Sequence, residues 1–261
     1  MPKLRKGNQK QSIAFYGVQM KSLMSLYQTY KVCVLRITTE KKEGKLSTGT
    51  GFHIGDGYIV TARHIVEWAN LVEITSGELT HSFQKIIVEN IYYPNDTRID
   101  LAVLKTNFSL EYYMTKVAII ENGKEREKED HIQIGGHLDD MFGDELTLSR
   151  VILMGYPKVP FVEQAVLFAT AGEVNAVIDG HNCPHPQFII SPMAKEGFFG
   201  GPVISEYGFL LGVLTESLDE GKRESELGFS AAISVEPLLV LLQQNEIYPA
   251  SNGEFIREFM H

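Results

Sequence analysis

Cysteine is nearly missing from the chain. Cys33 and Cys183 are the two present among 261 residues, too few for the disulfide framework of a small secreted fold, so a reducing, cytoplasmic setting is expected. Basic residues are in deficit, 24 Lys and Arg against 33 Asp and Glu, and the net charge of −9 removes the bulk attraction that nucleic acid or an anionic lipid surface would need. Neither nucleic acid nor membrane is expected as a partner. Long apolar runs are lacking too. The closest, Pro237 to Leu242, falls far short of the ~18 residues of a membrane-spanning helix. The first residues, MPKLRKGNQKQ, are basic like the start of a secretory leader, but Gln19, Lys21 and Gln28 interrupt the stretch after them and no small-residue cleavage pattern closes it. No export signal is expected. Neither a repeat at solenoid periods nor a low-complexity tract is found.

What remains is ordinary globular material, 44% hydrophobic and 22% charged, long enough for two domains or one large β unit with a substantial core. Val18, Leu23, Met24, Tyr27 and Tyr30 recur at helical spacing, which predicts an amphipathic helix over about residues 18–29, after a basic tail. Then the period changes. KVCVLRIT, GTGFHI, YIVT, NLVEIT, SFQKIIVENIYY and DLAVLKT are short β-rich runs separated by Gly, Asn, Asp and Pro. The mixed-charge run ENGKEREKED, 121–130, reads as a solvated loop and a boundary. Six further β runs succeed it: RVILMGY, EQAVLFATAGEVNAVI, QFIIS, GPVIS, FLLGVLT and LGFSAAIS. Pro237 near the start of LLVLLQQN signals a terminal helix.

The fold class expected is therefore all-β, two six-stranded antiparallel barrels with an N-terminal and a C-terminal helix. The divisions are 1–30, basic tail and helix; 31–106, N-terminal barrel; 107–147, connection; 148–234, C-terminal barrel; and 235–261, helix and tail.

Three segments carry chemistry: TGTGFHIGDGYIVTARHIV around His64, RIDLAVLK around Asp100, and EGFFGGPVISEYGFLLGVLTES around Gly197 to Gly201. A histidine at a strand end, an aspartate opening another strand and a Gly-rich turn before a third can bring a base, its orienter and a nucleophile to one cleft. Taken singly, His64 would more often be structural, and Asp100 could simply cap its strand. In this order the segments resemble the trypsin/chymotrypsin-like serine proteases, and most closely the bacterial high-temperature-requirement branch, with its T-A-x-H-V, D-I/L-A-V-L and G-N-S-G-G-P motifs. VILMGYP, ATAGEVNAV, QFIIS and LGFSAAIS extend the likeness over roughly residues 20–245.

The resemblance implies a double β-barrel, peptide or protein as substrate or partner, no cofactor and no metal. It assigns His64 as general base and acid, Asp100 as its orienter, and the N–H groups of Gly197 and Phe199 as the oxyanion hole. It also places Phe199 at the nucleophile position, where the family has serine. Met193, Leu214 and Thr215 would line the specificity pocket. Ser191 and Ser205 are too far along the chain to replace the missing hydroxyl. The function expected is a catalytically inactive protease homologue that binds peptide or protein; the alternative is an active endopeptidase whose parent sequence has Ser at position 199. Oligomeric state is left open.

Smaller features carry no expected site. His181, Cys183 and His185 in HNCPHP lack a matching second cluster for zinc and read as a surface loop. Asp56 and Gly57 read as a hairpin turn rather than a calcium loop. Lys3, Arg5, Lys6 and Lys10 read as a solvated tail.

Overall fold

The computed structural model describes residues 20–41, 44–76, 85–110, 119–121, 124–126, 131–135, 146–159, 162, 166–179, 183–191, 194–217 and 228–258. Lys3, Arg5, Lys6, Lys10, His181 and Met193 lie outside them. Helix α1 runs Leu23–Tyr30, later than the hydrophobic spacing alone predicts. Its start is set by Ser22, whose Oγ accepts the Ser25 N–H at 3.1 Å and satisfies one of the unpaired amides of the first turn.

The N-terminal half is one antiparallel sheet. Its strands are β1 (Val34–Glu40), β2 (Leu46–His53), β3 (Tyr58–Thr61), β4 (Asn70–Thr75), β5 (Val88–Tyr92) and β6 (Ala102–Thr106), with a one-turn helix α2 (Arg63–Val66) between β3 and β4. The order is β4-β1-β2-β3-β6-β5. Leu35 and Ile37 point inward from β1 while Arg36, Thr38 and Glu40 alternate outward, as a half-buried strand requires. The six strands expected for the N-terminal barrel are all present, as a curled sheet. Among the described residues β4 and β5 do not pair, so the sheet curls without a closing ladder. Both edge pairings shift register, at Thr38/Thr39 and at Val88/Asn90, and such bulges twist an edge away from continued pairing.

A further correction concerns the charged run. It enters a small hairpin of β7 (Ile119–Glu121) and β8 (Lys124–Arg126) rather than staying a plain loop.

The C-terminal half closes. Strands β9 (Arg150–Gly155), β10 (Phe168–Asp179), β11 (Pro186–Ser191), β12 (Pro202–Ser205), β13 (Leu210–Ser217) and β14 (Ser230–Ser234) form a barrel in which β9 pairs with both β10 and β12. Helix α3 (Glu236–Gln244) starts with Pro237 in its first turn, where the missing N–H costs nothing. A short α4 (Gly253–Glu258) stands where the sequence predicts only a tail.

The ends cross over. Tyr30 at the end of α1 donates its hydroxyl to Gly208 O at 2.6 Å in the C-terminal barrel. Asn252, between α3 and α4, donates to Ile54 O at 2.8 Å on the N-terminal sheet and to Ile132 O at 3.1 Å. Residues 131–135 stitch both halves: Ile132 N–H donates to His53 O at 2.8 Å, and Gln133 O accepts Leu210 N–H at 3.0 Å. One buried apolar cluster runs through both halves. Among the described residues, no helix is long and apolar enough to cross a membrane.

Candidate active site

Strand β3 leads straight into α2, which places His64 on the rim of the N-terminal sheet with Ile65 and Val66 turned into the core. Four residues would not hold a helix by themselves, and side chains clamp it. Arg63 reaches over to Glu67 with both Nε and Nη2, at 2.8 and 2.7 Å. Its Nη1 donates to Pro94 O at 3.2 Å, and the guanidinium lies 5.0 Å from the centre of the Tyr93 ring. The hydrogen bonds from Arg63 hold the Glu67 carboxyl below its ordinary range and raise the Arg63 guanidinium in turn.

Asp100 sits just before β6, at the exit of a turn over residues 96–99. There Asp96 accepts the Arg98 N–H at 2.9 Å and pairs with the Arg98 side chain at 2.6 Å. That hydrogen bonding pulls the Asp96 carboxyl down to about 2. Asp100 uses both of its oxygens on His64. Oδ2 stands 2.7 Å from Nδ1, and Oδ1 accepts the backbone N–H of His64 at 2.9 Å. A carboxylate can only accept, so Nδ1 carries the hydrogen and Nε2 is left as the basic nitrogen. The side chains are 43% and 30% exposed, so the pair is open to a ligand from solvent.

Phe199 lies on the turn between Lys195 and Gly201. Its ring meets the His64 imidazole edge-on, with centroids 5.9 Å apart and planes at 68°. The turn is set by backbone. Phe198 N–H donates to Lys195 O at 3.0 Å, Gly201 N–H to Phe198 O at 2.9 Å, and Gly200 N–H to Leu214 O at 2.7 Å. Gly197 and Gly200 have φ of +98° and +81°. A Cβ on Gly197 would fall 2.3 Å from Tyr156 O, and one on Gly200 2.2 Å from Thr50 O, so no other residue fits either place. The N–H groups of Gly197 and Phe199 donate to no group among the described residues.

Leu214 reaches this turn through its backbone, while its side chain is buried in the core. Thr215 is also buried, with its hydroxyl 3.5 Å from Ala231 O. Met193, the third proposed pocket residue, is outside the described residues. Ser205 is sealed inside β12, and Ser191 ends β11 half-buried. Cys33 and Cys183 are buried and form no disulfide. His185 faces Glu236 at 3.4 Å, and no group of metal-ligating side chains occurs among the described residues. Asp56 and Gly57, at φ of +48° and +75°, turn the β2–β3 hairpin, and the Asp56 carboxylate accepts the Ala250 N–H at 2.8 Å. The clamp on α2 is absent from the sequence expectations, although RHIVE has Arg and Glu at i,i+4, the spacing of a helical ion pair.

Among solved structures, the fold matches the active form of the Rv3671c protease from M. tuberculosis with a TM-score of 0.58, at 18% identity and covering 93% of each chain. It also matches the HtrA-type protease AlgW bound to a tripeptide, with a TM-score of 0.58 at 18% identity, over 87% of this chain and 64% of that one. The serine endoprotease from Yersinia pestis matches with a TM-score of 0.55 at 18% identity, over 87% and 67%. At this identity the likeness establishes fold. No curated protein sequence matches. The trypsin-like peptidase domain, however, matches residues 49–213, a span that takes in His64, Asp100 and the glycine turn alike. By that span, most of the chain's length, the protein belongs to the trypsin-like peptidase family.

Proposed function

We propose that this chain is a serine-protease homologue that retains the base and its orienter but not the nucleophile, and whose cleft binds a peptide or a partner protein without cleaving it. The observation that carries the reading is Phe199 facing the imidazole of His64 at 5.9 Å between centroids, on the turn where the family resemblance puts a serine. A phenyl ring has no atom that can attack a carbonyl, and it fills space that a scissile peptide needs.

The remaining parts have clear roles in peptide hydrolysis. His64 Nε2 would take the proton of a nucleophile and return it to the leaving amine, while Asp100 fixes the tautomer and stabilises the imidazolium. Gly197 and Phe199 would present their N–H groups to a developing oxyanion. Met193, Leu214 and Thr215 are proposed to shape a pocket for a medium-sized apolar side chain. Ser205 offers no substitute nucleophile, since β12 seals it from the cleft. The undisulfided cysteines support a reducing, cytoplasmic setting as part of the proposal.

The second reading is an active endopeptidase whose parent has serine at position 199. It is favoured by a turn whose conformation depends on glycines and backbone bonds rather than on the side chain of residue 199. A fluorophosphonate probe tests both. The chain as it stands should remain unlabelled, and Phe199→Ser should become labelled at the new serine. Labelling of the unaltered chain would sink the inactive reading; a folded but unreactive Phe199→Ser would sink the assignment of position 199.

A further inference from the structure

We infer that Thr50, on β2 of the N-terminal sheet, is the positioning residue that sets the shape of the glycine turn on the C-terminal barrel. The inference rests on the reading of that turn as the oxyanion and nucleophile turn. Thr50 is fully buried and uses every polar atom it has. Its backbone N–H donates to Phe199 O at 2.9 Å. Its hydroxyl donates to Gly197 O at 2.6 Å while accepting the Tyr156 N–H at 3.0 Å. Its own carbonyl is fixed from behind by the Thr61 hydroxyl at 2.6 Å.

Two of these bonds end on the carbonyls of the residues whose N–H groups would meet an oxyanion. Each peptide unit is rigid, so fixing a carbonyl fixes the plane of the amide that comes after it, and two fixed planes confine the residues between them. The neighbours make way for Thr50. A Cβ on Gly155 would fall 3.0 Å from its Oγ1, and one on Gly200 2.2 Å from its carbonyl oxygen. The residue therefore couples the halves: the sheet that carries His64 also grips the turn that carries position 199. Because the grip closes on backbone, it is the same whether Phe or Ser stands there.

Valine has the shape of threonine without the hydroxyl, which makes Thr50→Val the informative variant, Thr50→Ser its conservative rescue, and Thr61→Val a milder route to the same loss. Two readouts are needed, both on the full chain. In the chain as it stands, amide hydrogen exchange at Phe198 and Gly200, whose N–H groups bond to Lys195 O and Leu214 O, should quicken at least ~10-fold in Thr50→Val, less in Thr61→Val, and little in Thr50→Ser. Amides of the remote β10–β11 ladder should not change. In the Phe199→Ser background, Thr50→Val should lower kcat on a peptide substrate ~10–100-fold, the scale of a displacement of about 1 Å, with KM and the pH profile kept and serine restoring most of the rate. Unchanged exchange at Phe198 and Gly200 in Thr50→Val would overturn the inference, as would acceleration spread equally over the barrel. Should Thr50→Val not fold, the same exchange pattern in Thr61→Val decides. Inactivity of Phe199→Ser alongside the expected exchange pattern would overturn the functional reading and uphold the role of Thr50 in shaping the turn.

Discussion

Asp100 holds His64 by two atoms at once, its Oδ2 at 2.7 Å from the ring Nδ1 and its Oδ1 at 2.9 Å from the same residue's backbone N–H. The carboxylate thereby fixes both the ring and the one-turn helix that carries it. Such an arrangement orients the imidazole even where no nucleophile stands opposite.

In the Phe199→Ser background, Asp100→Asn should abolish most of the restored hydrolysis. An amide leaves the geometry nearly intact but reverses the donor at one position, favouring the wrong imidazole tautomer, and the expected fall in kcat is ~10³–10⁴-fold. Steady-state kinetics on a peptide substrate would show it. A loss below tenfold would remove Asp100 from the mechanism.

The Arg63–Glu67 clamp should make stability depend on pH. The folded-state carboxyl of Glu67 is held below its ordinary value of 4.5. Its contribution is therefore complete above that value and is lost as the pH falls from 4.5 toward the depressed one. For a partly exposed pair this is about 1 kcal/mol. Glu67→Gln should destabilise the protein at pH 7 and have progressively less effect below pH 4, as followed by urea unfolding at both pH values.

Gly200→Ala should be poorly tolerated. It combines a φ of +81° with a Cβ 2.2 Å from Thr50 O, and backbone cannot give way there as a flexible side chain would. A loss of at least ~2 kcal/mol, or a Tm lower by ~5 °C or more, is expected. A Tm within ~1 °C of the parent would mean that the turn is free to rearrange.

Asn252→Ala should be costly although the residue lies far from the cleft in sequence. Its buried amide donates to Ile54 O and Ile132 O, and its Oδ1 accepts the Ile134 N–H at 2.8 Å. Three buried groups would lose their partner, a loss of about 2–4 kcal/mol. The check is a lower urea midpoint at unchanged m value.

Much of this fold is legible in sequence because each β run is bounded by turn residues whose backbone preferences are strong. The Asp56–Gly57 turn and the strands on either side of it are an example: both residues adopt the positive φ that this dipeptide favours. What the sequence conceals is long-range. Nothing in the alternation of NLVEIT or VENIY says that β4 and β5 do not pair among the described residues, since edge bulges arise from register against neighbours rather than from local preference. α4 is similarly hidden, being six residues long and held by contacts from other elements, such as the Gln243 side-chain amide of α3 donating to Ile256 O at 2.5 Å. At the site, the order of His64, Asp100 and the glycine turn is readable, whereas Thr50 gives no signal. It is one more hydroxyl in a strand, and its partners Tyr156, Gly197 and Phe199 lie more than a hundred positions away along the chain.

The crossing of the ends has a mechanical meaning. With Tyr30 tied to the far barrel and Asn252 tied to the opposite sheet, each half is held shut by the other's terminus, and a hinge between them would have to break buried hydrogen bonds at both ends together. The two halves should therefore move as one body, so that a peptide or protein bound as proposed would find its site already shaped, a key entering a lock rather than a jaw closing.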